Sequence, residues 1–111
     1  MELLDVIKKA IDEKKGEHVI KYDFRSLNPF IDNVILCSAG NIRQVHAIAQ
    51  NVKERAREYG YLVRSMEGNH DSRWVLVDLD SVVVHVFLDE ERKHFQLEKL
   101  YADLPCEDFT L

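Results

Sequence analysis

Residues 74–87, WVLVDLDSVVVHVF, decide how this chain folds. Two runs rich in β-branched residues flank Asp80 and Ser81, and a two-residue turn at that point folds them into a β-hairpin. The resulting pairing sets Leu79 against Val82, Val77 against Val84 and Val75 against Val86, with Trp74 opposite Phe87, Leu76 opposite His85 and Asp78 opposite Val83. Alternate side chains point to opposite sides of a sheet, so one face is purely aliphatic. The other carries an indole, a phenyl ring, an imidazole and a carboxylate among aliphatic neighbours. That mixture suits contact with another protein, and a small chain has few helices with which to cover both faces, so the second face is expected to meet a partner. These faces hold only in this register, since a slip of one residue would exchange them.

The chain has 111 residues, enough for one domain with a single core. With 46% apolar residues, four Gly and two Pro, it lacks the composition of a disordered protein. No segment approaches the roughly 18 apolar residues of a membrane span. The beginning, MELLDVIKKAIDEKKGE, is amphipathic and charged rather than a signal peptide, and a cytoplasmic location is expected. Cys37 ends an apolar run and Cys106 lies near the tail, a spacing that indicates neither a disulfide framework nor a zinc site. Net charge is −5, from 20 acidic and 15 basic residues, and paired lysines occur only at Lys8-Lys9 and Lys14-Lys15. A direct grip on nucleic acid is therefore disfavoured, whereas an acidic surface can steer the chain to a basic partner.

Leu3, Leu4, Ile7, Ala10 and Ile11 recur at helical spacing within residues 2–15, and Gly16 stands where a helix cap would fall. Strands are expected at His18–Asp23 and Asn33–Ser38, with a turn at Asn28-Pro29 between them. Ile42, Val45, Ala49, Val52, Ala56 and Tyr59 mark a second helix, with Asn41 as N-cap, Gln44 completing a capping box and Gly60 as the stop. A strand at Tyr61–Met66 would make a βαβ crossover of this region. Leu97, Leu100, Tyr101 and Leu104 suggest a short closing helix ended by Pro105. The sum is an α/β domain with a mixed sheet of about five strands and flanking helices.

Asp78 and Asp80 form a DxD at a strand end, the arrangement in which nucleotidyltransferases hold metal ions. The rest of such machinery is missing. Ser38-Ala39-Gly40-Asn41 precedes a helix but is not a P-loop, and Asp80 is better explained as a turn former. His18, His46, His70, His85 and His94 never fall at metal-ligand spacing, and no serine has a nucleophile-elbow context. His46 lies one residue off the helix stripe, where a solvated ring is expected. On the mixed face, His85 is within diagonal reach of Asp78 or of a partner. Trp74, first in its strand and beside Arg73 and the polar loop EGNHDS, is expected to be half exposed.

Several segments together resemble the ribosomal silencing factors, also called the Iojap family, over nearly the whole chain. They are Asp23-x-Arg25, NPFIDNVILCSAGNIRQVHAIAQNV at 28–52, Glu67-Gly68, Arg73-Trp74-Val75 to Asp78, VVVHVF at 82–87 and RKHFQLEKLY at 92–101. The resemblance implies a non-enzymatic translation repressor that binds the large ribosomal subunit through its protein fourteen and obstructs joining of the small subunit. It also implies a nucleotidyltransferase-like core without catalytic residues, which would account for the DxD, and no cofactor or metal. By position, the family's partner-facing aromatic pair falls on Trp74 and Phe95, with Glu67, Gly68 and Arg73 nearby; Asp78, His85 and Phe87 of the mixed face complete the candidate contact set. The chain departs from the family in having Phe95 where Tyr is frequent, Tyr101 where Trp is frequent, and Asn33 in place of an aromatic. Two other classes fit the residues as well: a metal-dependent nucleotidyltransferase-like enzyme, and a homodimerisation module using the same hairpin face.

Overall fold

Helix α1 spans Leu3–Glu13 and ends in a Schellman-type cap. Lys15 N–H donates to the Asp12 carbonyl at 2.9 Å and Gly16 N–H to the Ile11 carbonyl at 3.0 Å. The left-handed residue is Lys15, at φ +60°, and not Gly16. Glycine is needed at 16 for space, because a Cβ there would collide with the Ile11 side chain. Helix α2, Ile42–Glu58, starts as expected, with Asn41 Oδ1 accepting from Gln44 N–H at 2.8 Å. Gln44 does not complete a capping box. Its side-chain amide reaches instead to the Lys14 and Lys15 carbonyls, both at 3.1 Å, and ties the start of α2 to the end of α1.

The computed structural model describes residues 1–111 and contains a six-stranded mixed sheet. Its strands are β1 (Glu17–Asp23), β2 (Asn33–Ala39), β3 (Ser65–Glu67), β4 (Trp74–Asp78), β5 (Val82–Leu88) and β6 (Cys106–Asp108), in the order β3-β4-β5-β2-β1-β6. The hairpin forms in the expected register, Trp74 opposite Phe87, Leu76 opposite His85 and Asp78 opposite Val83. Asp80 takes φ +72° at the turn, and its amide donates to Asp78 Oδ1 at 2.9 Å. The hydrogen-bonding side chain of this turn is thus Asp78, while Asp80 supplies the backbone conformation, a division that the residue pattern alone does not give.

The sheet has one strand more than expected, and its crossover is wider. The strand placed at Tyr61–Met66 is only Ser65–Glu67, pairing antiparallel with β4 at the edge. The β2–α2–β3 segment spans the β4–β5 hairpin, which inserts so that β2 lies parallel to β5 from Asn33 opposite Val82 to Ala39 opposite Leu88. β2 and β5 are the strands buried on both faces, as suits the centre of the sheet; the short, largely exposed β3 is left outside.

Two layers cover this sheet unequally. On the aliphatic face Ile7 and Ile11 of α1 and Val45, Ile48 and Val52 of α2 bury Val75, Val77, Val84 and Val86. The single closing helix expected at the C-terminus is replaced by two, α3 (Asp89–Phe95) and α4 (Leu97–Leu100), divided by Gln96 at φ +50°. α3 escapes sequence reading because its run DEERKHF has no apolar period. From α4 onward, Leu97, Tyr101 and Leu104 fold over Tyr22, Leu36 and Phe87 on the mixed face. This narrows the expectation that the face meets a partner: the chain's own tail covers Tyr22, Leu36 and Phe87 and leaves Trp74, Leu76 and His85 only partly covered.

Candidate functional site

At the open side of the mixed face the fold gathers an aromatic corner. The Trp74 ring lies 4.8 Å from Phe87, 4.9 Å from Phe95 and 5.7 Å from His85, centroid to centroid. Trp74 and His85 are half-buried, whereas Phe95 is 47% exposed and Phe87 only 1%. Phe87 is therefore removed from the contact set proposed from sequence: it is the buried plate on which the indole stacks. Trp74, Leu76 and His85, with Glu67 and Gly68 from the adjoining edge, line a shallow depression of about 260 Å3. Gly68 shapes that rim, for it takes φ +118° with Val75 and Ser72 packed close against it, a conformation in which other residues are strained. Leu76 was not among the residues singled out from sequence, although its position opposite His85 places it on this face.

The polar chemistry of the corner is a single hydrogen bond. Trp74 Nε1–H donates to His85 Nδ1 at 3.0 Å, so the imidazole is the acceptor and must be neutral. The diagonal bond from His85 to Asp78 does not form. Burial holds the imidazole down to about 4 from its ordinary 6.5. Between these values the unfolded chain takes up a proton that the folded chain refuses, so stability present above pH 6.5 is lost as pH falls towards 4. The loss should reach at most about 3 kcal/mol. Urea unfolding at pH 7.5 and pH 5 should show it in the parent protein and much less of it in His85→Gln; an equal acid loss in both would assign the effect elsewhere.

The remaining candidates lie apart from the corner's rings. Arg73 is exposed, and its carbonyl accepts from Leu88 N–H at 2.8 Å. Asp78 is at the far end of β4, where Arg64 lies 4.0 Å from its carboxylate and 3.5 Å from that of Asp80. A guanidinium thus stands beside both acids of the DxD. Asp80→Asn should leave melting and function unchanged, because Asn tolerates the left-handed backbone and an exposed ion pair contributes only about 0–1 kcal/mol. Loss of function in a folded Asp80→Asn protein, read in a subunit-joining assay, would restore the metal-enzyme reading. No three His, Cys, Asp or Glu side chains come together as a metal site, and burial pushes the Cys37 thiol up to about 12, far from a reactive thiolate. His46 is half-buried rather than solvated, and its Nδ1 has no partner. A larger cavity of about 480 Å3 lies by the end of β1, lined by groups already paired with one another, Lys21 with Glu107 and Asp23 with Arg25. The Asp23-x-Arg25 mark is a local clamp, in which the Arg25 guanidinium holds the Asp23 carboxyl down to about 2.

These features define a small α/β domain whose distinctive site is an aromatic corner left open on a mixed sheet. The family described as ribosomal silencing factor during starvation matches residues 1–110. The ribosomal silencing factor of Bacillus subtilis (strain 168) is 41% identical over 96% of this chain and 90% of its own length. A solved structure from Bacillus halodurans superimposes with a TM-score of 0.84 at 38% identity, covering 96% of both chains. More distantly, a mouse protein named for mitochondrial assembly of the ribosomal large subunit is 28% identical over 66% of this chain and 33% of its own. The chain belongs to the ribosomal silencing factor family, which supports a silencing role associated with the ribosome.

Proposed function

We propose that this protein acts in the cytoplasm by binding the large ribosomal subunit through its protein fourteen, and that it silences by occupying space the small subunit needs. The observation that carries the reading is the aromatic corner in a member of this family: Trp74, flanked by the exposed Phe95, is the kind of anchor that dominates protein interfaces. The net charge of −5 favours a basic partner, and Glu67 at the rim of the depression is placed to meet a cation. Silencing is then steric: a body measuring 34 × 34 × 24 Å, seated at the subunit interface, blocks joining without any chemical step.

Sedimentation with separated subunits is the test. The protein should travel with free large subunits and not with small ones; equal binding to both, or tight binding to bare RNA, would sink the proposal. Calorimetry with magnesium and nucleoside triphosphates should show no binding, and a metal-dependent heat would favour nucleotidyl transfer instead. Homodimers formed through the same face should dissociate when protein fourteen is added, since both contacts would need Trp74.

A further inference from the structure

We infer that Arg92 is the positioning residue of the aromatic corner: it locks α3 to the sheet and thereby holds Phe95 against Trp74. The importance of that placement for docking rests on the function proposed above, but the lock itself is a matter of geometry. α3 has seven residues, too few to persist unaided, and its N-cap Leu88 makes no side-chain cap bond. The one buried side chain it contributes is not apolar. It is Arg92, 8% exposed.

A guanidinium largely withdrawn from water needs partners for its donors, and here three separate elements engage Nη1 and Nε. Nη1 donates to the His18 carbonyl of β1 at 2.7 Å and to Ser38 Oγ of β2 at 3.1 Å, while Nε donates to Glu98 Oε2 of α4 at 3.2 Å. The β1 acceptor is itself held in an unusual shape. The β1–β2 register shifts between Glu17 and Ile20, and within that bulge His18 takes φ +50°, a backbone conformation that persists in a side-chain-bearing residue when its surroundings enforce it. Phe95 follows Arg92 by three residues, one helical turn along α3, and its ring meets Trp74 at 4.9 Å with 47% of the residue still exposed. So exposed a ring is held in place chiefly by the helix that carries it. The helix, in turn, is held by Arg92. Within the charged run from Asp89 to His94 no spacing distinguishes Arg92 from its neighbours, so only the fold reveals this role.

Trp74 is the only tryptophan of the chain, so intrinsic fluorescence reads the corner directly. Arg92→Met keeps the length of the side chain and removes its donors. The folded variant should show red-shifted emission matching that of Phe95→Ala, with no further shift in the double variant, and Arg92→Lys should not restore the parent spectrum because an ammonium lacks the fork. Val84→Ala, destabilised in the other layer, should keep the parent emission, which separates a lost lock from general loosening. Unchanged emission in folded Arg92→Met, or additive shifts in the double variant, would overturn the inference. Should Arg92→Met fail to fold, Glu98→Ala decides: it removes one of the three acceptors and should produce part of the shift, and no shift would overturn the lock equally. Because this cycle uses no ribosome, a red shift accompanied by undiminished large-subunit binding upholds the lock and counts against docking at Trp74.

Discussion

Replacing Trp74 with Ala should weaken binding to the large subunit by about 2 kcal/mol or more, roughly 30-fold, as truncation of an interfacial anchor does. The protein should remain folded. Its own stability should drop by about 1–3 kcal/mol, because the stack on Phe87 and Phe95 is lost and His85 Nδ1 is left without its donor. Val84→Ala is the matched control: it is fully buried against the helices and should cost about 2 kcal/mol of stability while the folded fraction binds with unchanged affinity. Binding and urea unfolding measured on the same preparations separate the two effects. A Trp74→Ala protein that is destabilised yet binds normally would mean that the partner docks elsewhere.

Phe87→Ala should be far more damaging to the fold. The residue is 1% exposed and is held between the indole of Trp74 and the tail residues that close over β2. Truncating a buried Phe costs about 3–5 kcal/mol, a large share of the roughly 5–15 kcal/mol that hold a domain together. The urea midpoint should fall steeply. A drop in affinity with little change in stability would instead show that Phe87 touches the partner, against its burial.

Trp74 and Phe87 also show what could be read in advance. Their pairing follows from a two-residue turn and strict alternation, and those local rules placed every hairpin residue on its correct face. Which residue of a face stays uncovered is decided by distant chain. Phe87 is buried because Leu97, Tyr101 and Leu104 fold back over the cluster it forms with Tyr22 and Leu36, while Trp74 packs at the edge of that cluster and stays half-buried; the spacing of the tail residues predicts a helix without saying where it docks. The same limit explains the sixth strand. Cys106–Asp108 is exposed at all three positions and has no alternation to detect; it is a strand because β1 offers it an edge. Gln44 and His85 were correctly placed, yet their hydrogen-bond partners were not, since an amide or an imidazole takes whichever group tertiary packing brings near.

The outermost strand has a consequence in time. β6 pairs with β1, Lys21 opposite Glu107, and Phe109 just beyond it enters the helix-side core, so the last strand completes a sheet begun by the first. During synthesis the early strands emerge long before the residues that shield Tyr22, Leu36 and Phe87. Such long-range closure folds slowly and late. A copy made only as far as β5 cannot yet present a finished Trp74–Phe95 corner, because α3 and its Arg92 lock follow that strand in the chain. The proposed docking corner is therefore assembled later than the sheet it sits on, so the order of synthesis itself delays any surface that Trp74 and Phe95 offer together.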